Sequence, residues 1–115
     1  MGPLAGLKVV DLTHVMAGPT CTLMLADMGA EVIKIEKIPG GDDSRRSVPP
    51  KVGDEAAPFL MMNRNKRGIV LDLKTPGGGT VLRRLAKSAD VIVTFRVRQS
   101  GSRKVNWFGT RLLNR

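Results

Sequence analysis

The chain has 115 residues and an ordinary apolar fraction of 42%, enough for one small domain. One cysteine, Cys21, and one histidine, His14, leave no means of building a disulfide framework or a multi-cysteine zinc site, and no metal ligand is expected. The net charge of +9 points first to an anionic partner, yet residues 1–93 hold 13 Lys+Arg against all 10 Asp+Glu, whereas residues 94–115 hold six bases and no acid. The basic balance therefore describes the tail and not the domain. No charged region followed by a long apolar run opens the chain, and no stretch approaches the ~20 apolar residues of a membrane helix. A soluble, reducing, cytoplasmic setting without a membrane partner is expected.

Leu7 to Leu12 is a short β-branched apolar run and predicts a buried strand. It ends in the loop Thr13-His-Val-Met-Ala-Gly18-Pro19, whose proline suits a first helical turn. Thr20 to Met28 then reads as a helix with Cys21 on its apolar face as a small core residue, and Gly29 as its C-terminal cap. Glu31 to Glu36 alternates polar and apolar as a second strand. From Ile38 to Pro58 runs a polar excursion of about 20 residues, a length usually tied to function or to an interface. Phe59 to Met62 suggests a helical turn, and Gly68 to Leu73 a third strand. Thr75 is a plausible N-cap before Pro76, with Val81, Leu82, Leu85 and Ala86 forming an apolar stripe. Asp90 to Val93 is a fourth strand. The order β-α-β-loop-β-α-β predicts an α/β fold, a partial Rossmann-like parallel sheet, followed by an irregular tail.

Two blocks carry a family resemblance. Leu4-x-Gly-x-x-Val-x-Asp11-x-Thr-His-Val-x-Ala-Gly-Pro19-x-Cys-Thr22, followed by Gly29-Ala-Glu-Val-Ile-Lys-Ile-Glu36, resembles the opening of class III CoA-transferases, a group that includes formyl-CoA transferase, carnitine and bile-acid CoA-transferases and α-methylacyl-CoA racemase. Asn63-Arg-Asn-Lys-Arg-Gly-Ile-Val-Leu-Asp-Leu-Lys74 is similar to a second segment of the same family. Residues 1–93 are thus identified as the amino-terminal part of the family's large domain.

The resemblance implies a chemistry and a site. These enzymes move CoA from an acyl-CoA to a carboxylic acid, through an aspartate that forms an anhydride and then a thioester. No aspartate here sits in the matching motif, so no catalytic residue is assigned: the family aspartate is expected beyond residue 115. By the same resemblance His14, Val15, Met16 and Ala17 lie beside the thioester end of CoA, Lys37 lies near its nucleotide end, and Leu71, Asp72, Leu73 and Lys74 contact its adenosine portion. Coenzyme A or an acyl-CoA is then a substrate, with no permanently bound cofactor. Intact members pair as interlocked homodimers. Met16 stands where formyl-CoA transferase carries a glutamine, and a thioether cannot reproduce an amide's hydrogen bonds.

After Val93 the family pattern stops: Thr94-Phe-Arg-Val-Arg-Gln-Ser-Gly101 replaces the expected run, and the acidic residues end at the same point. Residues 94–115 therefore read as a departing basic tail, frameshifted or disordered. Lys104-Val-Asn-Trp-Phe-Gly109, read one nucleotide later, can encode a run close to the family's own. The same tail, with Trp107 and Phe108 among its bases, supports a rival reading as a small nucleic-acid-binding protein. Against it, residues 1–93 contain no recognised nucleic-acid module, and nucleic acid is not the expected partner. A noncatalytic partner of a full-length transferase is a third reading. The glycines at 77–79 lack the Gly-Lys-Ser/Thr ending and the spacing of a phosphate loop.

Overall fold

The computed structural model describes the backbone of residues 2–100 and 103–112 and the side chains of residues 2–94. β1 (Lys8–Asp11), α1 (Ala17–Asp27) and β2 (Glu31–Glu36) come first. A 3₁₀ turn (Asp43–Arg46) and an antiparallel ribbon of β3 (Lys51–Val52) and β4 (Glu55–Ala56) occupy the polar excursion. Then follow α2 (Ala57–Asn63), β5 (Arg67–Val70), α3 (Pro76–Ser88), β6 (Val91–Ser100) and β7 (Arg103–Leu112). The main sheet has the order β5-β2-β1-β6-β7, and its first four strands are parallel. The expected α/β architecture is what the chain adopts.

β1 sits centrally, with Val9 opposite Val32 on one side and Val91 on the other. A strand hydrogen-bonded on both edges and covered on both faces needs a continuous apolar run. Val9 packs with Ala26, Ala30, Val32, Val91 and Val93, whereas Val10 packs with Ile35 and Ala89 among Ile33, Ile69, Leu82 and Leu85. Successive side chains thus feed opposite layers, α1 on one face and α3 on the other.

Both helix caps foreseen in the sequence form. Gly29 has φ of +100°, and the Gly29 and Ala30 amides donate to the carbonyls of Ala26 and Leu25, which closes α1 with a left-handed residue. The Thr75 hydroxyl accepts from the Gly78 amide at 3.1 Å and starts α3. Gly78 itself lies against the Asp72 carbonyl, where a Cβ would come within 1.9 Å.

Several expectations need correction. α1 begins at Ala17, three residues early, so Pro19 lies inside the first turn. Cys21 is exposed and not a core residue. α1 buries Gly18, Pro19, Thr22, Leu23 and Ala26 instead, because the Thr22 hydroxyl is drawn to the Asp11 carboxylate at 2.6 Å and turns the cysteine outward. β5 stops at Val70, since the Asp72 carboxylate and carbonyl accept from the amides of Lys74 and Thr75 and bend the chain. The tail is not irregular in its backbone: β6 runs to Ser100 and pairs antiparallel with β7, with Val91 opposite Leu112. Phe95 and Val97 alternate with Arg96 and Arg98, the two-residue period a strand favours.

Candidate ligand-binding site

The strand order reverses at β1. From β1 the chain moves outward to β2 and β5, then crosses back to place β6 on the opposite side of β1. Loops leaving the carboxyl ends of neighbouring strands diverge at such a point, and the crevice they leave is where open α/β sheets hold ligands. Two adjoining clefts lie there. One, of about 260 Å³, is lined by Leu12, His14, Lys37, Leu71, Asp72, Leu73, Lys74 and Thr94 among others. The second, of about 480 Å³, is lined by Leu12 to Gly18 with Lys37 and Asp43. Leu12, His14 and Lys37 border both.

All nine residues singled out from the sequence thus gather around one crevice, drawn from the ends of β1, β2 and β5. Their local states differ. Met16 is 61% and Leu73 46% exposed, so the crevice walls carry bare apolar groups beside charge. Lys37 Nζ pairs with Asp43 Oδ1 at 2.9 Å, an exposed pair of small energetic weight. The Lys74 ammonium has no hydrogen bond or ion pair among the described residues, while its amide is held by Asp72. His14 Nδ1 has no hydrogen-bond partner among them, and lies 3.9 Å from Asp42 Oδ2. Burial pushes the His14 imidazole below its usual 6.5; Asp42 opposes that shift, while Lys34 and Lys37 reinforce it. The ring is therefore neutral at pH 7 and able to accept or donate.

Behind the crevice lies a polar layer that sequence reasoning missed. Asp11, wholly buried, accepts from the amide and hydroxyl of Thr13, from the Thr22 hydroxyl, and from Lys66 Nζ at 3.2 Å. Lys66 also donates to Pro19 O and Asn63 Oδ1, which ties the end of α2 to the start of α1. Burial pushes the Lys66 ammonium below its ordinary value, against the attraction of Asp11.

Lys34, 2% exposed, donates to Thr13 O at 2.9 Å and pairs with Asp42 Oδ2 at 2.7 Å. Asp42 Oδ1 accepts from the amides of Val15 and Ser44 and from the Ser44 hydroxyl. Burial alone would raise the Asp42 carboxyl, but the Lys34 ammonium and the two amides outweigh it and hold it well below the carboxylate range. Glu36 accepts from the Asp42 amide and takes a two-pronged contact from Arg45, which holds its carboxyl low. Arg45 in turn lies 3.7 Å over the Phe59 ring.

One signal could have exposed this layer. Asp11 and Lys34 interrupt apolar runs in strands with neighbours on both sides, and a charge there must be buried and paired. A second sign is conformational: Val15 has φ of +71°, a left-handed backbone that a β-branched residue adopts only when its surroundings force it. Among the described residues no three His, Cys, Asp or Glu side chains converge as a metal site, and no helix is long and apolar enough to cross a membrane.

Comparison with known proteins places this arrangement. The sequence pattern of CoA-transferase family III matches residues 4–104. The chain is 48% identical over 91 residues to succinyl-CoA:glutarate CoA-transferase of Homo sapiens, covering 79% of this chain and 21% of that protein. It is 47% identical over 90 residues to formyl-CoA:oxalate CoA-transferase of Afipia carboxidovorans, covering 78% of this chain and 21% of the relative. Among solved structures, a CAIB/BAIF family protein from Brucella suis superposes with a TM-score of 0.74 at 46% identity, covering 79% of this chain and 25% of that one. A hypothetical protein from Mycobacterium tuberculosis gives 0.71 at 42% identity, covering 80% and 25%. The chain spans about a fifth of the length of these curated relatives. With the family pattern matched over residues 4–104 and the fold over 79% of its length, the chain belongs to CoA-transferase family III.

Proposed function

We propose that this chain forms one wall of a coenzyme A thioester site, within a protein that moves CoA between an acyl-CoA and a carboxylic acid. The observation that carries the reading is the convergence of all nine candidate residues on two joined clefts at the carboxyl ends of the parallel strands. Coenzyme A bears a pyrophosphate and a ribose phosphate, so its nucleotide half needs cations. Lys37 and Lys74 supply them beside the smaller cleft, with Leu71 and Leu73 offering apolar contact to an adenine face. The loop His14, Val15, Met16 and Ala17 borders the larger cleft, where the thioester end fits.

In this reaction an aspartate carboxylate attacks the thioester carbonyl to give an aspartyl–acyl anhydride and CoA thiolate, and the thiolate attacks the aspartyl carbonyl and releases the donor acid. The acceptor carboxylate displaces the thiolate from that aspartyl thioester, and the thiolate then attacks the acceptor's acyl carbonyl and frees the aspartate. By the resemblance no aspartate of this chain takes that role; of the two that line the clefts, Asp43 is paired with Lys37 and Arg46, and Asp72 is engaged in a turn. The nucleophile belongs to residues outside these 115, and the chain by itself does not turn over. The relatives named for succinate, glutarate and oxalate suggest a short dicarboxylate as the acid. Met16 lines the larger cleft with a thioether, which favours an acyl group with methylene carbons, such as succinyl, over formyl. The water-facing apolar residues Met24 and Met61, 59% and 61% exposed, suit the buried interface of the homodimer that the family resemblance implies.

Calorimetric titration with coenzyme A and with succinyl-CoA tests the site. Saturable binding is expected, weakened about tenfold in K74A by the loss of one charge-assisted contact. No heat of binding for any CoA ester would overturn the reading. Transfer between succinyl-CoA and glutarate by this chain alone would overturn the assignment of the nucleophile elsewhere.

A further inference from the structure

The crevice loop is gripped from behind at two adjacent peptide groups. Lys34 Nζ holds the carbonyl of Thr13 at 2.9 Å, and Asp42 Oδ1 holds the amide of Val15 at 3.0 Å, so His14 is bracketed on both sides. The two clamping groups pair with each other at 2.7 Å and are almost without solvent contact. Between them Val15 is forced to φ of +71°, although its β-branched side chain is 46% exposed and has little packing of its own to enforce that geometry. Asp42 does not reach the crevice; Val15 and His14 do.

We propose that Asp42 is a positioning residue: through the Val15 amide it holds the loop 14–17 in a left-handed conformation that the free loop would leave, and so presets the crevice for its ligand. The preset rests on the coenzyme A reading above only for the identity of that ligand. Mechanically, a β-branched residue released from the clamp relaxes to negative φ, which redirects the peptide planes on either side of it and the His14 ring beside them. Asp42 comes from the polar excursion, so that segment acts on the site from behind the loop as well as lending Asp43 to its wall. Glu36 secures it by accepting from the Asp42 amide at 2.9 Å.

A double-mutant cycle separates positioning from bulk stability. Glycine adopts positive φ without penalty, so the clamp matters less once Val15 is replaced by it. Coenzyme A binding is titrated for the chain, D42A, V15G and the V15G/D42A pair. D42A, which removes the acceptor, is expected to weaken binding about tenfold in the native background and less than about threefold in the V15G background. Equal losses in both backgrounds, or no loss in either, would overturn the proposal.

Amide hydrogen exchange in the ligand-free chain gives a second readout. The Val15 amide is expected to exchange far more slowly than that of Met16, and equal rates would refute the clamp even if D42A does not fold. If the unsubstituted chain binds no coenzyme A while the Val15 amide stays protected, the ligand assignment fails and the clamp stands.

Discussion

Lys34 and Asp42 meet at 2.7 Å in a place almost closed to solvent. A buried pair of this kind costs desolvation on both sides, and it becomes strongly unfavourable once either partner is lost. Replacing Lys34 by methionine keeps the volume but strands the Asp42 carboxylate. K34M is expected to destabilise the chain by about 3–5 kcal/mol, read as a lower urea midpoint with an unchanged slope. A shift under about 1 kcal/mol would mean that water reaches the site in solution.

Acid should dissolve the same layer. Asp42 and Glu36 both titrate below their ordinary values of 3.8 and 4.5 in the folded chain. Folding therefore favours their charged forms, so their contribution is complete above the unfolded-state values and lost as pH falls through the folded ones. The urea midpoint is expected to drop steeply below about pH 4.5, and E36Q should remove part of that drop.

His14 acts in the same direction at higher pH. Its folded-state value lies below 6.5 because burial disfavours the imidazolium. The unfolded chain binds the proton more readily, so stability declines as pH falls from 6.5 toward the folded value, and levels off below it. Proton NMR should place the imidazole midpoint below 6.5 in the folded chain and return it to about 6.5 in concentrated urea. A midpoint above 6.5 would show that Asp42 dominates the ring's surroundings.

Gly18 leaves no room for a side chain. A Cβ there would lie 2.3 Å from Thr13 Cβ, where both residues are buried. G18A is expected to cost about 1–3 kcal/mol through overpacking, measured as a lowered thermal midpoint. T13S, which removes the Cγ2 methyl also in the way, should recover part of the loss when combined with it.

Much of the fold was legible because local and global preferences agree. The β-branched run at Val9 and Val10, the alternation from Glu31 to Glu36, the Gly29 cap and the Thr75 cap each specify their element without help from distant residues. What failed was the burial of charge. Asp42 stands beside Asp43 in a polar stretch, and nothing local distinguishes the buried one from the exposed one. Only the tertiary return of the excursion onto the end of β2, where Glu36 accepts from its amide, sets them apart. Cys21 failed for a related reason: α1 is oriented by the pull of Asp11 on Thr22, and not by where its sulfur-containing side chains lie. The gathering of the nine crevice residues was legible through family resemblance, whereas the strain at Val15 required coordinates.

The crevice divides its charges by accessibility. Lys37 is 48% exposed and Lys74 faces water, whereas Lys34 and Asp42 are sealed beneath the loop. Dissolved ions crowd around the first two and hardly reach the second pair. On the proposed reading, ionic strength is then a dial acting on the handholds offered to a polyphosphate and not on the contour of the surface that bears them.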